Sequence, residues 1–344
     1  MPVRRFVLSV LCVSAALLSA CLERYESITI NHDGSAQLRS EFRGTPEDFK
    51  KTADALPDQN GGWAITERQE KDKDGKPRTI RIAELTITPG AAIPDCYATQ
   101  ADPRRASALR FPSTFKTIHT DGGTRFEFSR KYEARDEAAY SYLRKRLTEN
   151  DQFKAIQSKD PSTLTPEQRA TLLHTFAHLE GDKNARYIEV GARALVADGT
   201  WPQHIPLLLR AAALNFADGF DIAKADALLR QPESPERDAQ LNTIAGEFSS
   251  GIGAAIKAEF SRLNVPEAQQ ARFERIATAE RNMRAATEDL ADERWEVRLT
   301  MPGTLLAHNA DRVENNVLIW EFSADAFMDR DNAIRASSLV PATK

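Results

Sequence analysis

Two periods of apolar residues divide the chain. From residue 24 to 134 large apolar side chains recur at every second position, the period of a strand that buries one face. Residues 25–30 run into Asn31-His32-Asp33-Gly34, where Asp-Gly suits a hairpin turn that needs positive φ. In the next strand Ala36, Leu38 and Phe42 alternate with Gln37, Arg39, Glu41 and Arg43. Thr45-Pro46-Glu47-Asp48 starts a short helix, a hydroxyl N-cap followed by proline at the first helical position. Strands over 63–69 and 78–88 flank the charged turn Lys71-Asp72-Lys73-Asp74-Gly75-Lys76-Pro77. In the second of these the apolar phase switches from Ile80 and Ile82 to Leu85 and Ile87, which predicts a bulge near Ala83-Glu84. Phe126, Phe128 and Tyr132 then alternate with Arg125, Glu127 and Lys131.

The period changes to helical over 136–291, where alanine and leucine rise. Thr165-Pro166-Glu167 opens one helix, and segments 187–197, 205–216 and 222–229 are each about a helix long. Leu241, Ile244, Phe248, Ile252, Ile256, Phe260 and Leu263 form a stripe that resumes beyond Asn264-Val265-Pro266 at Phe273, Ile276, Met283 and Leu290. Two helices of roughly 25 residues, each about 38 Å long, therefore form an antiparallel hairpin. Gly251 and Gly253 lie inside the first, at positions suited to a close helix contact or a bend. Strand periodicity returns over 293–340, with Trp295, Val297, Leu299 and Met301, then Pro302-Gly303, a strand over 317–322 and another over 334–340. A tail of this size buries little core by itself. The chain therefore reads as α+β: an antiparallel sheet or small barrel-like domain built from residues 21–134 and 293–344, interrupted by an all-helical insertion, 135–292, that ends in the long hairpin.

Residues 1–20 lie outside this pattern. Arg4 and Arg5 precede a 13-residue apolar run, 6–18, too short for a bilayer core that needs about 20 helical residues. The run ends in Leu18-Ser19-Ala20-Cys21, which resembles a bacterial lipobox. That resemblance implies a diacylglyceryl group on the Cys21 thiol, cleavage before it, and acyl chains of the palmitate kind holding the mature protein to a membrane. The location implied is the cell membrane or the outer membrane, facing the periplasm or the exterior, and Leu22, in place of an inner-membrane-retaining aspartate, favours the outer membrane. Without residues 1–20 the chain keeps 44 basic and 50 acidic side chains, a net charge of −6. That balance argues against nucleic acid as a partner. Cys12 leaves with the signal, so Cys96 is the one free thiol, in a local sequence without a basic neighbour and best read as a small buried hydrophobe.

The segment Val297-Arg298-Leu299-Thr300-Met301-Pro302-Gly303, with His308-Asn309-Ala310, Val317-Leu318-Ile319-Trp320-Glu321-Phe322 and Ala336, resembles the end of an LppM-type lipoprotein domain. Ile28-Thr29-Ile30-Asn31-His32-Asp33-Gly34-Ser35 resembles the first hairpin of that family. The resemblance implies a mixed sheet or barrel-like fold and glycolipid binding, and carries no catalytic residue across.

Motifs for chemistry are sparse. His174 and His178 share a helix face, but Thr175 stands where a zincin needs glutamate, and the apolar residues Leu172, Leu173, Phe176 and Leu179 lie opposite. Asp72-Lys73-Asp74-Gly75 reads as a solvated turn, because Lys76 and Pro77 occupy positions a calcium loop needs. Ser249-Ser250-Gly251 falls within a helical stripe, away from any nucleophile elbow. Arg144-Lys145-Arg146 reads as ordinary helix surface, and the sequence holds no Walker loop or dinucleotide fingerprint, so no cofactor or metal is implied. Trp63, Trp201, Trp295 and Trp320 are scattered, the last two at core positions of strands. The expectation is a membrane-anchored cell-envelope lipoprotein, a non-enzymatic module binding a lipid or an envelope protein. Two alternatives differ in what they require. An envelope hydrolase acting on cell-wall or glycolipid substrates needs His32, His119 or His308 to converge with carboxylates. A structural subunit of an envelope assembly needs an exposed apolar patch on the helical hairpin.

Overall fold

The computed structural model describes residues 22–71, 75–138, 151–156, 159–232, 234–291 and 293–342. Strand β1 (Glu23–Ile30) turns at Gly34, φ +82°, into β2 (Ala36–Gly44), and the Ser35 amide donates to Asp33 Oδ1 at 2.9 Å. Thr45 caps α1 (Pro46–Lys51) through a reciprocal pair with Asp48. β3 (Ala64–Lys71), β4 (Pro77–Ile87), β5 (Ser113–Thr120) and β6 (Gly123–Tyr132) follow. Beyond the helical segment come β7 (Arg294–Thr300), β8 (Thr304–His308), β9 (Arg312–Glu314), β10 (Val317–Ser323), a short helix (Asp325–Met328) and β11 (Asn332–Pro341).

Among the described residues these strands make a seven-stranded sheet, β3-β4-β2-β1-β7-β10-β9, and a four-stranded sheet, β5-β6-β11-β8. β1 lies parallel to β7, in register from Glu23 opposite Arg294 to Thr29 opposite Thr300, and the other neighbours are antiparallel. Strands from both chain ends therefore share one sheet, as the patterning predicts. Both sheets are open, so the barrel-like alternative is not realised. Ile28, Leu38 and Val297 from the first sheet and Phe126, Phe128 and Ile334 from the second meet in one core, joined by Trp63, Trp295 and Trp320.

Three local readings change. β4 carries no bulge: its pairing with β2 runs without a slip from Ala36 opposite Ile87 to Gly44 opposite Thr79. The phase switch arises because apolar residues occupy both faces of a regular strand, with Ile80 buried on one and Ala83 and Ile87 on the other. Strands β5, β8 and β9 escaped the sequence reading, for they are short or largely exposed and lack clean alternation. The helix opened by Thr165 does not stop before residue 187.

That helix belongs to a second compact unit, residues 138–282, distinct from the β unit formed by the described residues up to Glu137 and from Met283 onward. Its elements are α2 (Asp151–Ile156), α3 (Pro166–Ala197), α4 (Ile205–Asp218), α5 (Ala223–Leu229), α6 (Pro235–Arg262) and α7 (Glu267–Leu290), the last running on into the β unit. α3 is one helix of 32 residues, capped by Thr165 and Gln168, and passes through Gly181, whose bare backbone lets Ala217 of α4 approach. α6 and α7 form the hairpin around Asn264, φ +52°, and Phe260 meets Phe273 edge to face at 5.2 Å. Gly251 faces Phe216 of α4, where a Cβ would stand 2.0 Å from the ring, whereas Gly253 faces open space.

Candidate functional site

A concavity of the β unit lies on the outer face of the four-stranded sheet. β6 turns Phe126, Phe128, Arg130 and Tyr132 inward, so Arg125, Glu127 and Ser129 project outward. Register then builds rows across the sheet: Thr114, Ser129 and Arg335 in one, Lys116, Glu127, Ser337 and Ala307 in the next. Ser129, Ser337 and Ala307 are short and make a floor, while the long side chains of Lys116, Arg125 and Arg335 stand around it. The result is an open groove of about 440 Å³. A register shift at Ser337/Ser338 interrupts the β11–β8 ladder under this floor, as a bulge does where a sheet curves. Asn309 ties down the rim: its Oδ1 accepts from the Arg335 amide at 2.7 Å and its Nδ2 donates to the Ala333 carbonyl at 2.7 Å.

Charge in the groove is unbalanced. Arg125 pairs with Glu127 at 2.9 Å. Among the described residues Lys116 and Arg335 have no carboxylate partner. His308 also lines the groove, with Nδ1 accepting from the Ala310 amide at 3.2 Å.

Two charge clusters lie inside the β unit. Glu26 accepts from the Tyr97 hydroxyl at 2.9 Å and the Tyr132 hydroxyl at 3.1 Å, and pairs with Arg130, itself over the Phe111 ring. Burial, then the Glu26 charge, holds both tyrosine hydroxyls protonated far above their usual range. The space beside this cluster is about 10 Å³, room for one water at most. The second cluster centres on Arg24, whose guanidinium lies 5.4 Å from each of the Phe42 and Trp295 ring centres. It pairs with Glu293 and lies 3.0 Å from Asp54 Oδ2. Burial pushes the Glu293 carboxyl well above the usual range, against the pull of Arg24 and with help from Asp54 and Asp289. These groups are sealed among aromatic side chains and hold the core together. In the helical unit an apolar cavity of about 30 Å³ beside Phe176 and Phe220 has room for little more than a water or a methyl group.

The residues singled out in the sequence do not converge. His32 lies in the β1–β2 turn, His119 on β5 with Nδ1 3.2 Å from Thr124 Oγ1, and His308 on β8, the only one of the three in the groove. His174 and His178 are exposed on α3, with His178 3.5 Å from Asp218, and no group of potential metal ligands occurs among the described residues. Ser249-Ser250-Gly251 lies inside α6. Cys96 is buried, but it has a cation that its local sequence lacks, because the loop brings Arg105 Nη1 to 3.1 Å from Sγ. Burial still pushes the thiol up, and Arg105 only partly offsets this. The exposed large apolar residues among those described, Ile118, Leu207, Leu306 and Val313, lie outside the hairpin, so the patch required of a docking hairpin is not found there. Cys21, Asp72-Lys73-Asp74 and Arg144-Lys145-Arg146 fall outside the described residues, and no helix among those described is long and apolar enough to cross a membrane. The groove itself escaped sequence reading. Its one sequence-level signal is the outward set on β6, and its other walls come from the adjacent β5 and from β8 and β11, about 180 and 210 residues later.

No known protein family matches the chain, and no curated protein sequence matches it. Among solved structures, the NMR structure of the folded domain of LppM from Mycobacterium tuberculosis matches at 9% identity, over 94% of this chain and 91% of that one, with a TM-score of 0.29. This is a weak structural similarity, from which no residue correspondence follows.

Proposed function

We propose that the chain is a lipid-anchored cell-envelope module that binds a ligand or partner on its β unit. The observation that carries this reading is the groove, a built concavity with a floor of short side chains and walls of long charged ones. The lipobox-like Leu18-Ser19-Ala20-Cys21 supplies the anchor. Leu22 is buried and β1 begins at Glu23, so acyl chains on Cys21 would join the folded unit with no spacer. Native mass spectrometry of the mature chain with Cys21→Ser, purified from its own envelope, tests the binding. A ligand bound at one per chain, and displaced when Ser337→Trp fills the floor, is the expected result. A bare mass in every preparation would overturn the reading.

A further inference from the structure

We infer that the groove on the four-stranded sheet is an oxyanion site: Lys116 and Arg335 hold a phosphate or carboxylate group of the ligand over Ser129, at the edge of the Ser129–Ser337–Ala307 floor. The inference rests on the reading of this groove as a binding site and adds the class of ligand. It follows from three features. Three cations line the groove against one carboxylate, and that carboxylate, Glu127, is engaged by Arg125 at 2.9 Å. Lys116 and Arg335 are left without an acidic partner among the described residues.

The two cations also stand on either side of β6. Lys116 projects from the edge strand β5 and Arg335 from the inner strand β11, with Glu127 and Ser129 of β6 between them. A group bound over Ser129 of β6 therefore meets an ammonium on one side and a planar guanidinium on the other. Arginine presents paired donors that match two oxygens of a phosphate or carboxylate, and lysine adds a compact charge. Finally, the mount of Arg335 is stiff: its backbone amide is held by Asn309, whose Oδ1 is also 3.2 Å from Trp320 Nε1 in the core. The floor offers hydroxyls and a methyl group, which suits an uncharged polar headgroup or sugar carried by the same ligand.

The mature chain with Cys21→Ser is titrated with sn-glycerol 3-phosphate, and separately with vesicles of phosphatidylcholine containing phosphatidylglycerol at about one lipid in three. The readouts are backbone amide shifts for the soluble probe and co-sedimentation for the vesicles. Saturable binding of the soluble probe, weakened at least tenfold by Lys116→Ala with Arg335→Ala and unchanged by Lys224→Ala on the helical unit, is expected if a free phosphate is the ligand. Vesicle binding with the same dependence assigns the group to a lipid headgroup, and either result supports the inference. Binding of neither probe, or binding indifferent to the double substitution, would overturn it. A neutral ligand found by native mass spectrometry alongside that negative result would sink the oxyanion site and leave the binding module standing.

Discussion

Arg24 shows what one buried charge commits its neighbours to. It lies between two aromatic rings and faces two carboxyl groups, Glu293 and Asp54, with no solvent to replace it. Removing one partner of such a cluster strands the others, a loss of about 3–5 kcal/mol. Urea denaturation of Arg24→Ala at pH 7 is expected to show a loss in that range, and a loss below about 1 kcal/mol would mean that the cluster is not sealed. Glu293 gives a pH signature. Because burial raises its carboxyl in the folded chain, the proton it retains stabilises the fold. That contribution is complete below the unfolded value, about pH 4.3, and is lost as pH rises through the raised folded value. Glu293→Gln keeps the neutral form at every pH, so its stability should fall less than the wild type's between pH 5 and 9. Parallel slopes for the two chains would exclude Glu293 as the group responsible.

At the scale of elements, glycines at two positions of α6 separate packing from propensity. A Cβ at residue 251 would collide with the Phe216 ring, so Gly251→Ala should destabilise the helical unit by about 1–3 kcal/mol through overpacking. Gly253 faces open space, and Gly253→Ala should instead stabilise by up to about 1 kcal/mol, since alanine restricts the unfolded chain and favours the helix. Thermal melts followed by helical circular dichroism should move in opposite directions for the pair. Two shifts of the same sign would contradict the α4–α6 contact. Stripe periodicity alone made these residues equivalent, and the neighbouring helix distinguishes them.

At the scale of the molecule, the helical unit is an insertion whose ends meet. Arg284 pairs with Glu137, and Arg135 Nη2 donates to the Met283 carbonyl at 3.0 Å, so the β unit closes on itself where the insertion departs. Replacing residues 138–282 by a short glycine-serine bridge should therefore leave the β unit folded. Near-ultraviolet circular dichroism of Trp63, Trp295 and Trp320 reports on it, because all three are buried in that core. A featureless spectrum would mean that the insertion is needed for the β unit to fold. The proposed anchor is also tested on the whole chain. Wild type should partition into the detergent phase of Triton X-114 and Cys21→Ser into the aqueous phase. Wild type in the aqueous phase would remove the anchor from the proposed function.

The α+β class, the join between both chain ends, the capped helix starts and the long hairpin were all legible in the sequence. Each rests on a short-range rule: side-chain periods of two and of about 3.6, a hydroxyl before proline, glycine where φ is positive. Cysteine after Leu-Ser-Ala is likewise a local signal, read from adjacent residues. The tertiary structure decided what depends on distant partners. Parallel pairing of β1 with β7, the two-faced burial of β4, and Arg105 beside Cys96 all require residues that only folding brings together. The groove belongs to the same class. Its walls come from β5, β6, β8 and β11, and the cross-strand register that opposes Lys116 to Glu127 and Ser129 to Arg335 is a property of the paired sheet, which no single strand contains.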